Sequence, residues 1–291
     1  MNVMRYAKLF QERGCEVSVF AVKGSPLAKE HKSNGFKVHK IEHHRKYFDT
    51  SNIVRWSKLI NKHDIDVIWL RDTRDLQIAG LANKLAGKKA KIVYQQAMQL
   101  GIDKKDIFHT IRFKRIDQWV APLTYLADQV KARTNFNPKK ISIIPLGVNS
   151  KKFRSLPNKT KARVKLNLPE DAVILGMVGR IDPLKCQLFV IDVFEKLKQD
   201  FPQLHVVFVG NPTINEGDSY FQKLKDRVKK LKSSDRVHFI PFLSDVEKAY
   251  AAFDISIMAS KGETFGMVTI EAMMAGLPVI GTSSSGTPEI L

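Results

Sequence analysis

Glu263 and Glu271 stand eight positions apart in residues 262–276, GETFGMVTIEAMMAG. The apolar run 254–260, DISIMAS, reads as a strand leading into this stretch. A helix follows, and Gly276 and Pro278 end it before a second apolar run, PVIG. The start of that helix, at Thr264, Phe265 and Gly266, would present free backbone N–H groups and a positive dipole end, which suits an anion. The stretch therefore offers donors for phosphate and two carboxylates for hydroxyls. A second constellation is Gly179-Arg180-Ile181-Asp182-Pro183-Leu184-Lys185, where Gly179 closes the apolar run AVILGMVG and a helix begins near Lys185. In an open α/β sheet, ligands collect beyond the carboxyl ends of the strands. Arg180 and Lys185 would then flank the same edge as residues 263–266. Arg supplies a planar fork to phosphate oxygens and Lys a point charge, so the set predicts a diphosphate site. The plainer reading pairs Arg180 with Asp182 and lets Lys185 simply open a helix.

These residues need elements to position them. Short continuous apolar runs at 16–22, 36–42, 66–70, 91–95, 118–122 and 140–145 read as buried strands. Helical stretches lie between them, among them 3–13, 53–62 and 76–85. A break follows at Pro145-Leu146-Gly147-Val148-Asn149, and the polar, basic run 151–163 reads as a linker. Alternation then restarts, with strands at 172–179, 204–210 and 236–241 and helices at 185–199, 221–231 and 245–252. Such alternation predicts parallel sheets covered on both faces. The fold class is α/β: two tandem doubly wound, Rossmann-like domains, 1–148 and 149–291, facing a cleft. The chain opens on a helix rather than on the strand and glycine-rich turn that normally start such a domain. It stops soon after a strand. The N-terminal first strand and the C-terminal helices are therefore expected to be missing, as in a fragment.

Composition bounds the function classes. At 291 residues with 44% hydrophobic residues, the chain is long enough for two packed domains. Its two cysteines, Cys15 and Cys186, match no metal spacing and read as buried thiols in a reducing compartment. No apolar run reaches the roughly 18 residues of a membrane span, and the N-terminus lacks a signal-peptide core. The expected location is cytoplasmic, with possible peripheral contact at the inner face of a membrane. The charge of +19 is uneven: residues 1–150 hold 28 Lys and Arg against 13 Asp and Glu, and residues 151–291 hold 20 against 16. A basic first half could attract anionic lipid, nucleic acid or an anionic substrate, or be only a solvated surface.

Residues 179–185, then Glu263-x7-Glu271 within GETFGMVTIEAMMAGLPVI, then SSSGTPEI, resemble the GT-B retaining glycosyltransferases of family 4. The junction IPLGVNSKKF resembles that family's IPNGVD…F, with Leu146 for Asn and Asn149 for Asp. The resemblance runs over nearly the whole chain and is strongest in residues 172–291. It implies a nucleotide-sugar donor bound mainly by the C-terminal domain and a carbohydrate or lipid-linked acceptor on the N-terminal one. It also implies retention of configuration and no metal or separate cofactor. By motif match Arg180 and Lys185, beside Gly179, would hold the donor diphosphate. Glu263 would bond the sugar hydroxyls. The backbone of Thr264, Phe265 and Gly266 would lie against sugar and phosphate, and Glu271 would bind the ribose. Glu263, Arg180 and Lys185 are the expected catalytic group. Two departures stand out: Cys186 where the family usually has Gly, and Gln95-Gln96 where many members place a His. No catalytic residue of the N-terminal domain is therefore named.

Other signals weigh less. Asp64-Ile65-Asp66 imitates a metal-binding Asp-x-Asp but precedes its strand, at the end away from the ligand edge. Arg71-Asp72-Thr73-Arg74-Asp75 follows a strand at its carboxyl end; it could meet an anionic acceptor, or its charges could pair locally. Trp56, Phe108 and Phe113 fall at core-like positions and do not form an RNA-binding strand, so no nucleic-acid partner is expected. The alternative function is a non-catalytic basic module, membrane- or nucleic-acid-binding, on a degenerate transferase scaffold.

Overall fold

A computed structural model describes residues 2–43, 49–87, 89–213 and 217–291. In chain order the elements are α1 (Asn2–Gln11), β1 (Ser18–Val22), α2 (Pro26–Ser33), β2 (Lys37–Ile41), α3 (Thr50–Lys62), β3 (Val67–Leu70), α4 (Leu76–Leu85), β4 (Lys91–Gln95), α5 (Ile107–Phe113), β5 (Gln118–Ala121), α6 (Thr124–Arg133) and β6 (Ile141–Ile143). Then come α7 (Lys159–Lys165), β7 (Val173–Val178), α8 (Gln187–Leu197), β8 (Leu204–Val209), α9 (Gly217–Lys229), β9 (Val237–Ile240), α10 (Glu247–Tyr250), β10 (Ile255–Met258), α11 (Met267–Met274) and β11 (Val279–Gly281). The chain divides into two compact units, Met1–Gln95 with Lys105–Trp119, and Gln96–Lys104 with Val120–Leu291.

In the first unit β1 pairs parallel with β2, and β3 pairs parallel with β4 with Leu70 opposite Tyr94. Helix starts follow local chemistry. Ser25 and Asp49 accept backbone N–H groups of Ala28 and Asn52, which satisfies donors that a helix leaves open. Trp56, Ile60, Ile78, Ala82 and Ile92 are buried in this unit. Two expectations are corrected here. Cys15 is exposed, because it follows α1 in the Gly14 turn rather than facing the core. Phe108 is 79% exposed, although Trp56 and Phe113 are buried as expected. Helix α5 carries apolar residues on both faces, and only one face can be covered.

The second unit contains a five-stranded sheet in the order β11-β10-β7-β8-β9, and every pair in it is parallel. Its strands are continuous apolar runs because both faces are covered. On one face Ile191 and Phe194 of α8 and Leu224 of α9 pack against Val206 and Phe208. On the other, Ala162 of α7, Tyr250, Phe253 and Ala272 of α11 pack against Ile174 and Val207. The run read as a linker contains α7, and this is a correction. Asn158 caps it through Thr160 N–H, and its Arg163 is buried, donating to Ala252 O at 3.1 Å and to Asp254 at 2.6 Å. A polar-looking helix is thus anchored by one buried ion pair with a residue far along the chain.

Candidate functional site

The connectivity of the five-stranded sheet fixes where a site can form. From β7 the chain moves outward through β8 and β9, then returns to place β10 on the other side of β7 and β11 beyond it. The gap between the carboxyl ends of β7 and β10 is therefore the topological switch point, where open parallel sheets bind ligands. The two expected motifs are the loops that leave these two strands.

The first loop turns at Gly179 and runs Arg180, Ile181, Asp182. Its backbone is held by Ile181 N–H donating to Asn211 O at 2.9 Å and by the Gln187 amide donating to Arg180 O at 2.9 Å. Gly210 permits the close approach of the β8 end: a Cβ there would lie 2.0 Å from the Gly179 carbonyl oxygen. Asp182 is buried and accepts from Leu184 N–H at 3.0 Å and from the Thr213 hydroxyl at 3.2 Å, so its carboxylate shapes the turn. The Arg180 side chain is 66% exposed, with Nη2 3.6 Å from Asp182, too long for a hydrogen bond. A short 3-10 turn, Pro183–Lys185, delivers Lys185, and α8 starts two residues later than the start near Lys185 read from the sequence. Cys186 joins them in the left-handed region, φ 58°. That conformation favours glycine and explains why the resembling family places one there. The small Cys186 side chain is accommodated, buried among the core of α8.

The second loop runs from Ala259 to Gly266. Lys261 N–H donates to Leu184 O at 2.9 Å, tying it to the first loop. Lys185 Nζ donates to Glu263 Oε2 at 2.6 Å, with the side chains only 21% and 16% exposed. The carboxylate and ammonium singled out from separate motifs thus form one charge-assisted pair. Helix α11 begins at Met267, and Gly266, φ 77°, is its N-cap, so Glu263, Thr264 and Phe265 lie on the loop before it. The buried Phe265 ring packs with Ala121, Leu123 and Leu126, which fixes the loop from below. The SSSGTPEI turn closes the site: Gly286 N–H donates to Glu263 O at 3.2 Å, and a Cβ on Gly286 would meet Thr264 O at 2.8 Å. Glu271 lies within α11 and accepts from the Tyr250 hydroxyl at 3.0 Å. Burial, then the Glu271 charge, pushes that buried hydroxyl well above its ordinary pKa, so it stays a donor and orients the carboxylate.

The structure brings Gly179, Lys185, Glu263, Thr264 and Gly266 to one strand edge and gives Glu271 a separate anchor. It also shows residues that the motifs did not mark. Gln99 donates to Glu263 O at 3.3 Å, Gln187 holds Arg180, Gly210 admits the turn, and Tyr250 orients Glu271. Only Gly210 carried a signal, as a glycine closing an apolar strand. A cavity of ≈ 500 Å³ lined by Lys161, Lys165 and Lys248 shares no residue with this site, so charge and strand topology identify it, not size.

Comparison with known proteins identifies the family and the fold. A family profile described as Glycosyltransferase Family 4 matches residues 2–152, and one described as Glycosyl transferases group 1 matches residues 158–291. The chain is 32% identical over 178 residues to a D-inositol 3-phosphate glycosyltransferase of Streptomyces bingchenggensis, covering 59% of this chain and 39% of that protein. It is 34% identical over 164 residues to the enzyme of the same name from Mycobacteroides abscessus, covering 56% of this chain and 36% of that protein. The matched region thus spans less than half the length of these curated relatives. Among solved structures, a glycosyltransferase from Rickettsia africae superposes with a TM-score of 0.86 at 23% identity, covering 98% of this chain and 76% of that one. Anabaena Alr3699/HepE, in complex with UDP and glucose, superposes with a TM-score of 0.78 at 19% identity, covering 99% and 78%. These likenesses show the α/β fold of the GT-B glycosyltransferases.

Proposed function

Because this chain belongs to glycosyltransferase family 4, we propose that the protein moves a sugar from a nucleotide-sugar donor to a carbohydrate or lipid-linked acceptor. Transfer proceeds with retention of configuration and without a metal. Residues 149–291 bind the donor and residues 1–148 the acceptor, a division supported by two profiles that meet between residues 152 and 158.

The observation that carries the reading is the Lys185–Glu263 pair at the switch point beside Arg180. As the glycosidic bond breaks, the leaving nucleoside diphosphate gains negative charge. Fixed cations stabilise that charge where it develops. Lys185 and Arg180 are the diphosphate cations, and Arg180, 66% exposed, exchanges its 3.6 Å ion pair with Asp182 for the diphosphate. Glu263 then has its second oxygen and the released partner for sugar hydroxyls, while the N–H groups of Thr264, Phe265 and Gly266 face sugar and phosphate. Glu271, held by Tyr250, takes the ribose hydroxyls. The test is donor-dependent release of nucleoside diphosphate, with UDP-glucose as the first donor. Unchanged release in Glu263→Ala and Lys185→Ala variants ends the residue assignment.

The protein works in the cytoplasm and touches the anionic inner face of a membrane through its basic N-terminal half. Among the described residues no helix is long and apolar enough to cross a membrane. The surplus of 28 basic over 13 acidic residues supports surface contact, as do Ile107, Phe108 and Ile111 of α5, exposed at 66%, 79% and 50%. Flotation with anionic liposomes at low and high salt tests it, and no binding at low salt ends it.

A further inference from the structure

The loop that carries Glu263 is held by a segment far from it in sequence. Helix α6 carries Tyr125, Gln129 and Arg133 at four-residue spacing, which places them on one face. That face grips residues 99–104. Gln129 Oε1 accepts from Leu100 N–H at 3.0 Å, Arg133 donates to Leu100 O at 2.7 Å, and Lys104 N–H donates to Arg133 O at 2.7 Å. Gln99 is thereby set beside α6. Its Oε1 accepts from the Tyr125 hydroxyl at 3.2 Å and, more weakly, from the Gln129 amide at 3.5 Å. All of these residues belong to the second unit, as does Glu263.

These partners decide which way the Gln99 amide faces. Gln129 has committed its oxygen to Leu100, so only its NH2 group is left for Gln99, which must answer with oxygen. The Gln99 NH2 group is then turned to Glu263 O, to which it donates at 3.3 Å. Gly286 N–H donates to the same oxygen at 3.2 Å. A reversed Gln99 amide would set oxygen against the Glu263 carbonyl and NH2 against NH2. The Glu263–Thr264 peptide is planar and trans, so its C=O and N–H point in opposite directions. With two donors holding the oxygen, the Thr264 N–H is turned away from both, and it has no hydrogen-bond partner among the described residues.

We propose that Gln99 is a positioning residue: acting through the Glu263–Thr264 peptide, it aims the Thr264 N–H at the phosphate of the nucleotide donor. The aim stands on the hydrogen bonds to Glu263 O; naming the phosphate as its target rests on the transferase reading above. A donor aimed in advance acts on charge as it develops, with no reorganisation at the moment of reaction.

Two variants of the full chain test this. Gln99→Glu keeps the length and the acceptor for Tyr125 and Gln129, and replaces only the donated bond. Gln99→Met removes all three bonds without adding a charge. Calorimetry compares UDP, which carries the full charge of the leaving group, with uridine, which carries none. Both variants are expected to weaken UDP about tenfold, the usual worth of one hydrogen bond to a charged group, and to leave uridine within about twofold. With UDP-glucose as donor, kcat for nucleoside diphosphate release should fall by a similar factor while KM changes less. Crystal structures of the parent and Gln99→Glu should show the Glu263–Thr264 peptide turned in the variant. Equal loss of UDP and uridine, with a lowered Tm, marks a packing role and overturns the proposal. A loss confined to Gln99→Glu marks repulsion between carboxylate and phosphate and also overturns it. Unchanged UDP affinity in both variants overturns it and leaves the transferase reading standing. If the peptide turns in Gln99→Glu but the parent binds neither UDP nor ADP nor GDP, the transferase reading fails and the hold of Gln99 on the loop survives.

Discussion

Lys185 in the second unit and Arg112 in the first are both cations withdrawn from solvent, and the chain treats them in opposite ways. Lys185 is met by Glu263 at 2.6 Å, whereas the buried Nε and Nη1 of Arg112 have no hydrogen-bond partner among the described residues. A paired cation can wait for its ligand at little cost, since the carboxylate stands in for the incoming anion. An unpaired buried cation burdens the protein, since its desolvation is not repaid by an acceptor. The proposed donor site should therefore be nearly as stable empty as full, whereas the first unit carries the cost of its buried charge at all times.

The largest effect expected from this contrast is kinetic. Lys185→Ala should lower kcat for donor-dependent nucleoside diphosphate release by a factor equivalent to about 2.7–4 kcal/mol, the usual loss when one donor to developing charge is removed. It should also destabilise the fold by about 1–3 kcal/mol, because Glu263 is left partly buried without its partner. The double variant Lys185→Ala/Glu263→Ala should regain much of that stability and none of the rate. Denaturant melts and turnover measured on the three variants separate the two effects. Recovery of rate in the double variant would mean that the pair only props the loops.

A smaller effect is expected from geometry alone. The Gly179 turn delivers Arg180, and Gly210 leaves it room. Gly210→Ala sets a methyl group 2.0 Å from the Gly179 oxygen, which the backbone must move to relieve. Overpacking of this kind costs about 1–3 kcal/mol of stability. Donor affinity should fall further than stability does, because Arg180 moves with the turn. Equal affinity in the variant and the parent would show that Arg180 does not depend on this contact.

Much of the architecture was legible because covered parallel strands are short continuous apolar runs. Leu76–Leu85 and Lys91–Gln95 fall where the sequence predicts a helix and a strand. The motif residues were legible as a set because strand ends collect ligands, but Lys185 and Glu263 are 78 residues apart and nothing local says that they touch. The misses share one cause, which is charge or apolarity that only tertiary contacts interpret. Helix α7 looks like a linker until Arg163 finds Asp254. Phe108 looks like core until α5 turns its other face inward. Arg112 sits among surface-like basic residues in the sequence, and no periodicity marks it as buried and unpartnered.

The smallest effect tests the same rule with the signs reversed, on an anion satisfied by backbone. Helix α6 begins after Leu123, which offers no side-chain cap, and Glu289 supplies one from the far end of the chain. Its carboxylate accepts from Thr124 N–H at 2.6 Å and Tyr125 N–H at 2.9 Å. Burial alone would raise its pKa; the two backbone hydrogen bonds outweigh that and hold it below the ordinary value of 4.5. A carboxylate whose folded pKa is depressed contributes stability that is present above its unfolded pKa and lost as pH falls through the folded value. The parent should therefore lose more stability than Glu289→Gln between about pH 5 and about pH 3, and the variant should be the less stable of the two near neutrality. Glu289 is an exposed residue, so the difference will be modest and reduced further by salt. Parallel pH curves for the two proteins would show that the cap is made in the structure without being used by the fold. Contacts made without energetic use would then have to be suspected at Lys185 and Glu263 as well.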